Sequence, residues 1–423
     1  MVFALCILNL FGLFALWVKF AEEGANRIYL MVFLSCYVFT YFGGIILAAA
    51  LFSALGIEKI GSSDSTTWHL VMLSELCLII FLIGYWVAAP LKKIVRNRSG
   101  LNWRNGTKPL GVTLIVSFLL AMVIYVAISG GPVLFKSGGY ENRYDANVGL
   151  GGYSLFFSMG LLSCTLFSLR SRTKNEKRKA AMWTVVYCIL TFIVLGGYRQ
   201  LGFAAMFSLS VISLMRRDIS FVKFLLLSIV LVVLALAVAT FRYSDSGIHD
   251  MTGMYGRLFI FLYDGFAPVD AFYNIFEYCI NRDIRENVMI NQFATIVPRV
   301  IWPGKPLIVL NAGNFYTQQV LGRSGAITYS PTLLGELYLT GGAIACAVGV
   351  FISGVILRFL DEIIIRSANK AVVLFLFSFS FVFVFNLYRE GLGVLVTKIF
   401  VFGVAFYLVL ILSKLIFKNR QTV

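Results

Sequence analysis

Long apolar stretches recur along the whole chain, and short polar segments separate them. The stretch from Phe224 to Ala239 is almost continuously apolar, whereas a transmembrane β-strand needs a short segment of alternating polarity. A helix of about 20 apolar residues crosses the hydrocarbon core and satisfies its own backbone hydrogen bonds there. The pattern therefore predicts an all-α polytopic membrane protein with about eleven transmembrane helices.

The predicted spans cover most of the chain. The first stretch lacks a basic leader and a small-residue cleavage site, so we expect it to remain as the first span. The spans are Val2 to Val18, Ile28 to Leu55, Leu70 to Ala89, Leu110 to Ser129, Tyr153 to Leu169, Ala181 to Leu195, Leu201 to Met215, Phe221 to Thr240, Leu337 to Leu357, Ala371 to Leu387 and Val394 to Ser413.

Composition agrees with a membrane protein. Hydrophobic residues make up 59% of the 423 residues and charged residues only 13%, whereas soluble domains contain about 25% charged residues. The net charge of +16 comes from basic residues clustered in a few short loops. Such clusters are typical of cytoplasmic loops, so the charge predicts orientation and not a nucleic-acid partner.

One alternation of spans places all the basic clusters in the cytoplasm. These clusters lie in 92–108, 170–179, 216–223, 366–370 and 414–420. The amino terminus is then outside and the carboxyl terminus cytoplasmic. The outer face carries 56–69, 130–152, 196–200 and 241–336, and the short turn at 388–393 joins them.

The sequence predicts a single transmembrane domain over 1–423, with 241–336 as a large outer loop inserted before the last three helices. Its aromatic content argues against disorder. Phe266, Val269, Phe272 and Phe276 recur at helical spacing, which favours an amphipathic interfacial helix or a helix packed against the spans. We read Cys279 as the one cysteine in a loop, and no disulfide framework is available.

Several catalytic motifs are missing. The chain has only two histidines and no Gly-rich phosphate loop, nucleophile elbow or zinc-binding helix. We therefore expect no cofactor and no histidine-based metal site.

Arginine is the notable residue of the predicted outer side, because it opposes the usual charge bias there. Guanidinium groups bind phosphate bidentately, so several of them in one cavity can neutralise a diphosphate. Ion pairing with loop acids is the alternative, which we favour for Arg257, Arg282 and Arg285. The outer set is Arg143, Arg199, Arg242, Arg257, Arg299, Arg323 and Arg389.

Arg199 and Arg389 each lie in a very short outer turn, so their charges sit near the membrane surface. A charge at that depth is costly unless it is paired or functional. We interpret Arg199 as functional, while Arg389 can equally pair with Glu390.

The segment from Pro298 to Pro306 contains three prolines in nine residues. A stiff backbone presents Arg299 and Lys305 at little entropic cost, which suits an anion clamp. Trp302 suits either stacking on a sugar or anchoring at the interface.

Glu336 and Tyr338 open the ninth predicted span, which we expect to continue as a helix through Gly341 and Gly342. Glu336 can act as a base or favour the helix dipole. Glu75 lies inside the third span and is expected to face a polar cavity or an arginine.

The chain resembles the Wzy-type oligosaccharide repeat unit polymerases of bacterial surface polysaccharide synthesis. The likeness includes the Gly-Gly-Tyr-Arg turn at Arg199, the segment from Pro298 to Pro306, and the Gly-Glu-Leu-Tyr sequence at Glu336. The resemblance implies a fold like that of the glycosyltransferase-C class in the bacterial inner membrane.

The resemblance also implies an activity. A growing glycan would pass from undecaprenyl diphosphate to the terminal sugar of another undecaprenyl-diphosphate-linked repeat unit, on the periplasmic face and without a metal. A chain-length regulator is a conceivable partner. An O-antigen ligase with the same donor, and a lipid-linked oligosaccharide flippase, are the alternatives.

We predict one role for the cationic residues and another for a single base. Arg143, Arg199 and Arg299 would bind the diphosphate and Glu336 would take the acceptor proton. The predicted substrate-binding residues are Lys305, Trp302, Tyr338, Arg242 and Arg389.

Overall fold

The computed structural model describes residues 2–22, 27–56, 58, 60, 64–90, 103, 106–135, 151–197, 199–242, 263, 268–282, 286–297, 301–305, 309–323 and 328–417. All regular structure in these ranges is helical. The helices are α1 (Val2–Glu22), α2 (Ile28–Leu55, with a π-helical turn at Phe39–Gly43), α3 (Asp64–Val87), α4 (Lys108–Ser129), α5 (Gly151–Phe156), α6 (Ser158–Arg170), α7 (Lys174–Val194), α8 (Gln200–Met215), α9 (Phe221–Arg242), α10 (Val269–Arg282), α11 (Val288–Ala294), α12 (Ala312–Phe315), α13 (Leu333–Arg366), α14 (Lys370–Glu390) and α15 (Leu392–Phe417).

The predicted spans all fall on helical structure, but Tyr153 to Leu169 covers two helices, α5 and α6. Among the described residues, seven helices are long and apolar enough to cross a membrane, namely α1, α2, α3, α4, α13, α14 and α15. The other predicted spans coincide with α5 to α9, which are shorter, begin with a charged turn, or are described in part. The helical class is therefore confirmed, while the number of spans stays a prediction.

One end of the helical domain is held together by the Asp361 carboxylate. It accepts hydrogen bonds from the backbone nitrogens of Tyr29 (3.0 Å) and Leu30 (3.2 Å) and from the Tyr85 hydroxyl (2.7 Å). The Tyr29 hydroxyl donates to the Leu376 carbonyl (2.8 Å). The starts of α2 and α14 thus lie beside the ends of α3 and α13.

The end of α1, the start of α9 and the ends of α6 and α8 also lie at this end of the domain. Trp17, near the end of α1, donates to Ser35 of α2 (2.7 Å) and packs against Phe224 at the start of α9. Since a short turn joins α8 to α9, the end of α8 is there too, and Arg216 after α8 donates to the Ser168 carbonyl in the last turns of α6 (2.9 Å). We call this the basic end, defined by Arg170, Lys177, Arg216, Lys223 and Arg366.

The close crossing of α3 and α13 depends on glycine. A side chain built at Gly84 would collide with the Phe351 carbonyl, and one built at Gly354 would collide with the Phe81 carbonyl. Small residues that let two backbones touch are a common means of packing helices in lipid. This crossing fixes the position of α13.

α13 is sharply bent, so the prediction of a continuous helix through Gly341 and Gly342 is wrong. Both glycines have non-helical backbone angles. The Leu339 carbonyl accepts a hydrogen bond from the Glu286 nitrogen (2.9 Å) outside the helix. The segment before the bend folds against the segment after it, since Cys346 contacts the Leu334 carbonyl (3.5 Å), whereas 12 helical residues span about 18 Å.

α10 corresponds to the predicted amphipathic segment, and its aromatic face packs against the spans. The Phe272 ring lies 5.9 Å from that of Tyr41 on α2 and 6.1 Å from that of Tyr338 on α13. This is the packing alternative, not the interfacial one. Cys279 is buried within α10, so its assignment to a loop was wrong, and Phe266 lies outside the described residues.

Candidate functional site

Glu336 is the buried carboxylate at the end of the domain opposite the basic end. It lies in the first turns of α13 and is 1% exposed. Its Oε2 accepts a hydrogen bond from the Leu392 nitrogen at the start of α15 (2.6 Å). Its Oε1 is buried and has no hydrogen-bond partner among the described residues. One oxygen is thus fixed and the other is available for a proton.

The turn between α14 and α15 is built around this carboxylate. Gly391 has φ +107°, which side chains rarely adopt, and a side chain built there would collide with the Glu336 carboxylate. A side chain built at Gly393 would lie 3.1 Å from Glu336 Oε1 and from the Cβ of Gln292. The absence of side chains at both positions leaves room for the carboxylate.

A layer of amides from α11 and the following segment lies next to Gly393. The Gln292 side chain donates to Thr295 Oγ1 (3.2 Å) and accepts from the Asn311 side chain (2.9 Å). Lys305 donates to the carbonyls of Thr295 (2.9 Å) and Val297 (3.0 Å). Lys305, a predicted substrate-binding residue, thus joins the Glu336 neighbourhood through α11, and its ammonium group fixes the backbone just after α11.

Arg389 ends α14 beside the start of α13. Its Nε donates to Ser330 (2.8 Å), and its carbonyl accepts from the Thr332 nitrogen (2.9 Å). Its guanidinium lies over the Phe385 ring, 5.6 Å from the centroid. The bond to Ser330 orients the Arg389 side chain.

The carboxylate lies below the helix tips. Leu334 donates its backbone N–H to the Tyr41 hydroxyl (2.9 Å). Tyr41 comes 12 residues after Tyr29 of the basic end, a rise of about 18 Å, and α2 continues to Leu55. We call the region formed by the start of α13, the end of α14 and the start of α15 the Glu336 end. It lies within the helices and not at their outermost surface.

Lys398 of α15 adds a cation to this region. Its ammonium group donates to Asn386 Oδ1 (2.5 Å) and lies 3.9 Å from the Glu390 carboxylate. Asn386, Gln292 and Asn311 were missed because a neutral amide carries no signal in the sequence.

Arg199 is the residue before α8 and is partly buried. Because α8 ends at the basic end and its 16 residues span about 24 Å, Arg199 lies toward the Glu336 end. Arg143 and Arg299 lie outside the described residues, as does the side chain of Arg242. Their convergence therefore stays a prediction.

The two aromatic residues predicted to bind substrate, Trp302 and Tyr338, differ in exposure. Trp302 is 41% exposed and is accessible to a ligand. Tyr338 is buried, with its ring 5.0 Å from that of Phe276, because the bend in α13 turns it toward α10. Tyr338 packs within the core beside Glu336, and its role as a substrate contact stays a prediction.

Glu75 also differs from expectation. Its Oε2 accepts a hydrogen bond from Asn9 of α1 (2.9 Å), so an amide, and not an arginine, satisfies it.

In the part of the chain that the structure describes, no three His, Cys, Asp or Glu side chains come together as metal ligands.

Comparison with known proteins identifies the family. A family model described as WzyE protein, O-antigen assembly polymerase, matches residues 2–422. The chain therefore belongs to this family, and it is an integral membrane protein and a polymerase of polysaccharide biosynthesis. No solved structure matches the chain.

Proposed function

Starting from this family membership, we propose that the protein extends a bacterial surface polysaccharide on the periplasmic face of the inner membrane. It transfers a growing glycan from undecaprenyl diphosphate to the terminal sugar of another undecaprenyl-diphosphate-linked repeat unit. The observation that carries this proposal is the family match across residues 2–422. The geometry of the Glu336 end supports the mechanism.

The proposed step forms one bond and breaks one. The acceptor hydroxyl oxygen attacks the anomeric carbon of the donor sugar, and the bond from that carbon to the diphosphate oxygen breaks. The diphosphate leaves with the electron pair, and the hydroxyl proton passes to Glu336. Since Oε2 is held by Leu392 and Oε1 has no partner among the described residues, Oε1 is the oxygen that takes the proton.

The leaving diphosphate gathers negative charge, which fixed cations stabilise with little reorganisation. We assign this task to Arg143, Arg199 and Arg299, with Arg242 and Arg389 as further contacts. Guanidinium groups neutralise a diphosphate directly, so we propose that the reaction needs no metal.

Two residues of the segment before α12 complete the assignment. Lys305 holds this segment in place through its bonds to the Thr295 and Val297 carbonyls. Its positive charge also helps to stabilise the leaving diphosphate. Trp302 is exposed and offers an aromatic face to a sugar.

The proposed orientation follows from the basic end. Arg170, Lys177, Arg216 and Arg366 belong there, and basic loops favour the cytoplasm. The Glu336 end then faces the periplasm, with 241–336 as its outer loop on a single domain. A chain-length regulator is a proposed partner in the same membrane.

The depth of Glu336 is compatible with a lipid-linked donor. Its neighbour Leu334 binds Tyr41, about 18 Å along α2 from Tyr29 at the basic end. We propose that the donor diphosphate reaches Glu336 from the membrane surface.

A reconstituted assay tests the proposal. The purified protein in lipid nanodiscs is incubated with a defined lipid-linked repeat unit in buffer with chelator, and products are measured by mass spectrometry. We expect lipid-linked dimers and longer ladders. Absence of elongation with transfer to added lipid A core indicates a ligase, and transbilayer movement without any new glycosidic bond indicates a flippase.

A further inference from the structure

A cavity of about 400 Å³ opens at the basic end, far from Glu336. It lies where the end of α6, the start of α7 and the end of α8 meet. Its walls are Trp103, Leu169, Arg170, Ser171, Arg172, Lys177, Arg216 and Asp218. The volume falls in the range of small-ligand pockets, about 300 to 1,000 Å³.

Arg216 forms the floor of this cavity and fixes its shape. One guanidinium nitrogen donates to the carbonyls of Ser168 (2.9 Å) and Ser171 (2.6 Å), and the other donates to the Leu169 carbonyl (2.7 Å). These bonds satisfy the last carbonyls of α6, as expected for a cation at a helix carboxyl terminus. The cavity is therefore preformed.

Positive charge exceeds negative charge in the cavity. Its carboxylate, Asp218, forms an ion pair with Lys177 (2.6 Å). Glu176 is adjacent, but its carboxylate caps α7 by accepting from the nitrogens of Arg172 and Thr173. Among the described residues, no carboxylate forms an ion pair with an arginine of the cavity.

The Arg216 guanidinium is partly buried and lies near a second cation, Arg172. Burial lowers the pKa of the Arg216 guanidinium, the nearby Asp218 carboxylate raises it, and Arg172 lowers it further. An anion between Arg170, Arg172 and Arg216 would relieve this repulsion.

We infer that this cavity binds the phosphate diester headgroup of an anionic glycerophospholipid. The arginines take the phosphate oxygens, and Trp103 and Leu169 contact the glycerol region. Exposed apolar side chains on α7 continue away from the cavity and offer a surface for the acyl chains, which a free anion would not need. These side chains are Met182, Val185, Val186 and Ile189.

This site is independent of the proposed transfer reaction. Its role is to anchor the α6, α7 and α8 ends in the leaflet at the basic end. Basic pockets between membrane helices commonly bind anionic headgroups.

Native mass spectrometry of the detergent-purified full chain tests the inference, with phosphatidylglycerol as the probe. We expect saturable binding that Arg170→Gln with Arg172→Gln weakens at least about tenfold. The control pair, Lys223→Gln with Lys414→Gln, removes the same charge from exposed residues that lie on other helices and outside the cavity wall, and it should bind like the unmodified protein.

Other outcomes overturn the assignment. Equal weakening by both pairs would show nonspecific attraction, and equal binding of phosphatidylcholine would show that the anionic headgroup is not recognised. Displacement of the lipid by millimolar inorganic phosphate would make this a free-anion site. If the double variant does not fold, Arg172→Gln alone replaces it, since Arg172 is exposed, with a loss of about threefold or more expected.

Discussion

At the scale of single residues, Glu336 combines burial with an incomplete set of hydrogen bonds. A carboxylate is costly to bury unless it is bonded or functional, and here Leu392 satisfies only one oxygen. The Leu392 nitrogen caps Oε2 and the Gly393 nitrogen also faces the carboxylate, but Oε1 forms no hydrogen bond of ordinary geometry among the described residues. The second oxygen is what points to a substrate proton.

The arginine hypothesis makes a testable prediction at this scale. Arg199→Ala and Arg299→Ala should each reduce polymer formation by about 100- to 1,000-fold, the usual cost of removing one preorganised donor. The measurement is the rate of ladder formation at equal amounts of membrane protein.

Arg282→Ala is the matched control. The Arg282 guanidinium lies over the Tyr278 ring, 4.7 Å from its centroid, so its loss should leave the rate unchanged. Near-normal polymer from Arg199→Ala would remove this residue from the site.

The sequence identified the charged residues of the site better than its neutral ones. Glu336 and Arg389 stand out as charges beside apolar stretches. Gln292 and Asn311 do not, because their amides meet only after α11 and the following segment fold together. The packing of Tyr338 against Phe276 was not predictable either, because a bend in α13 decides which way Tyr338 faces.

At the scale of elements, the helices could be predicted from the sequence, but the bends within them and the contacts between them could not. Apolar length marks a helix in lipid without reference to tertiary contacts. The bend at Gly341 and Gly342 depends on Glu286, more than 50 residues earlier, which binds the Leu339 carbonyl. No periodicity in the α13 sequence reveals that contact.

The turn between α14 and α15 gives a second prediction. Gly391→Ala forces a side chain into a left-handed backbone region and into the Glu336 carboxylate, so we expect a loss of about 1 to 3 kcal/mol or more in stability. Thermal unfolding in nanodiscs measures it.

Gly403→Ala on α15 provides the comparison. A side chain built at Gly403 would meet only Phe375, at 3.9 Å, and alanine suits a helix. The melting temperature of the Gly403→Ala protein should not be lower than that of the unmodified protein. A Gly391→Ala protein as stable as Gly403→Ala would contradict the described geometry of the turn.

At the scale of the whole molecule, opposite ends of one helical domain have different chemistry. Asp361 and Arg216 bind the helices together at the basic end. The Glu336 end gathers the carboxylate, the amides and Lys305. The alternation of basic loops along the sequence predicted this separation, since charge bias acts on each loop independently.

Added cysteines test the orientation. In spheroplasts, a membrane-impermeant maleimide should label Ile301→Cys at once, and should label Asn175→Cys only after the membrane is opened. Both positions are exposed, and the native cysteines are buried or partly buried. The reverse order of labelling would invert the proposed topology and place the Glu336 end in the cytoplasm.

The most direct test of the central claim is the single-turnover rate of glycan transfer by Glu336→Gln, compared with Glu277→Gln, in nanodiscs with excess enzyme. Gln keeps the size of the side chain but cannot take a proton, and the Glu277 carboxylate accepts from the Tyr273 hydroxyl on α10 (2.7 Å). The account predicts a loss of about 100-fold or more for Glu336→Gln with unchanged donor binding, and an unchanged rate for Glu277→Gln. Transfer by Glu336→Gln at the unmodified rate would contradict it.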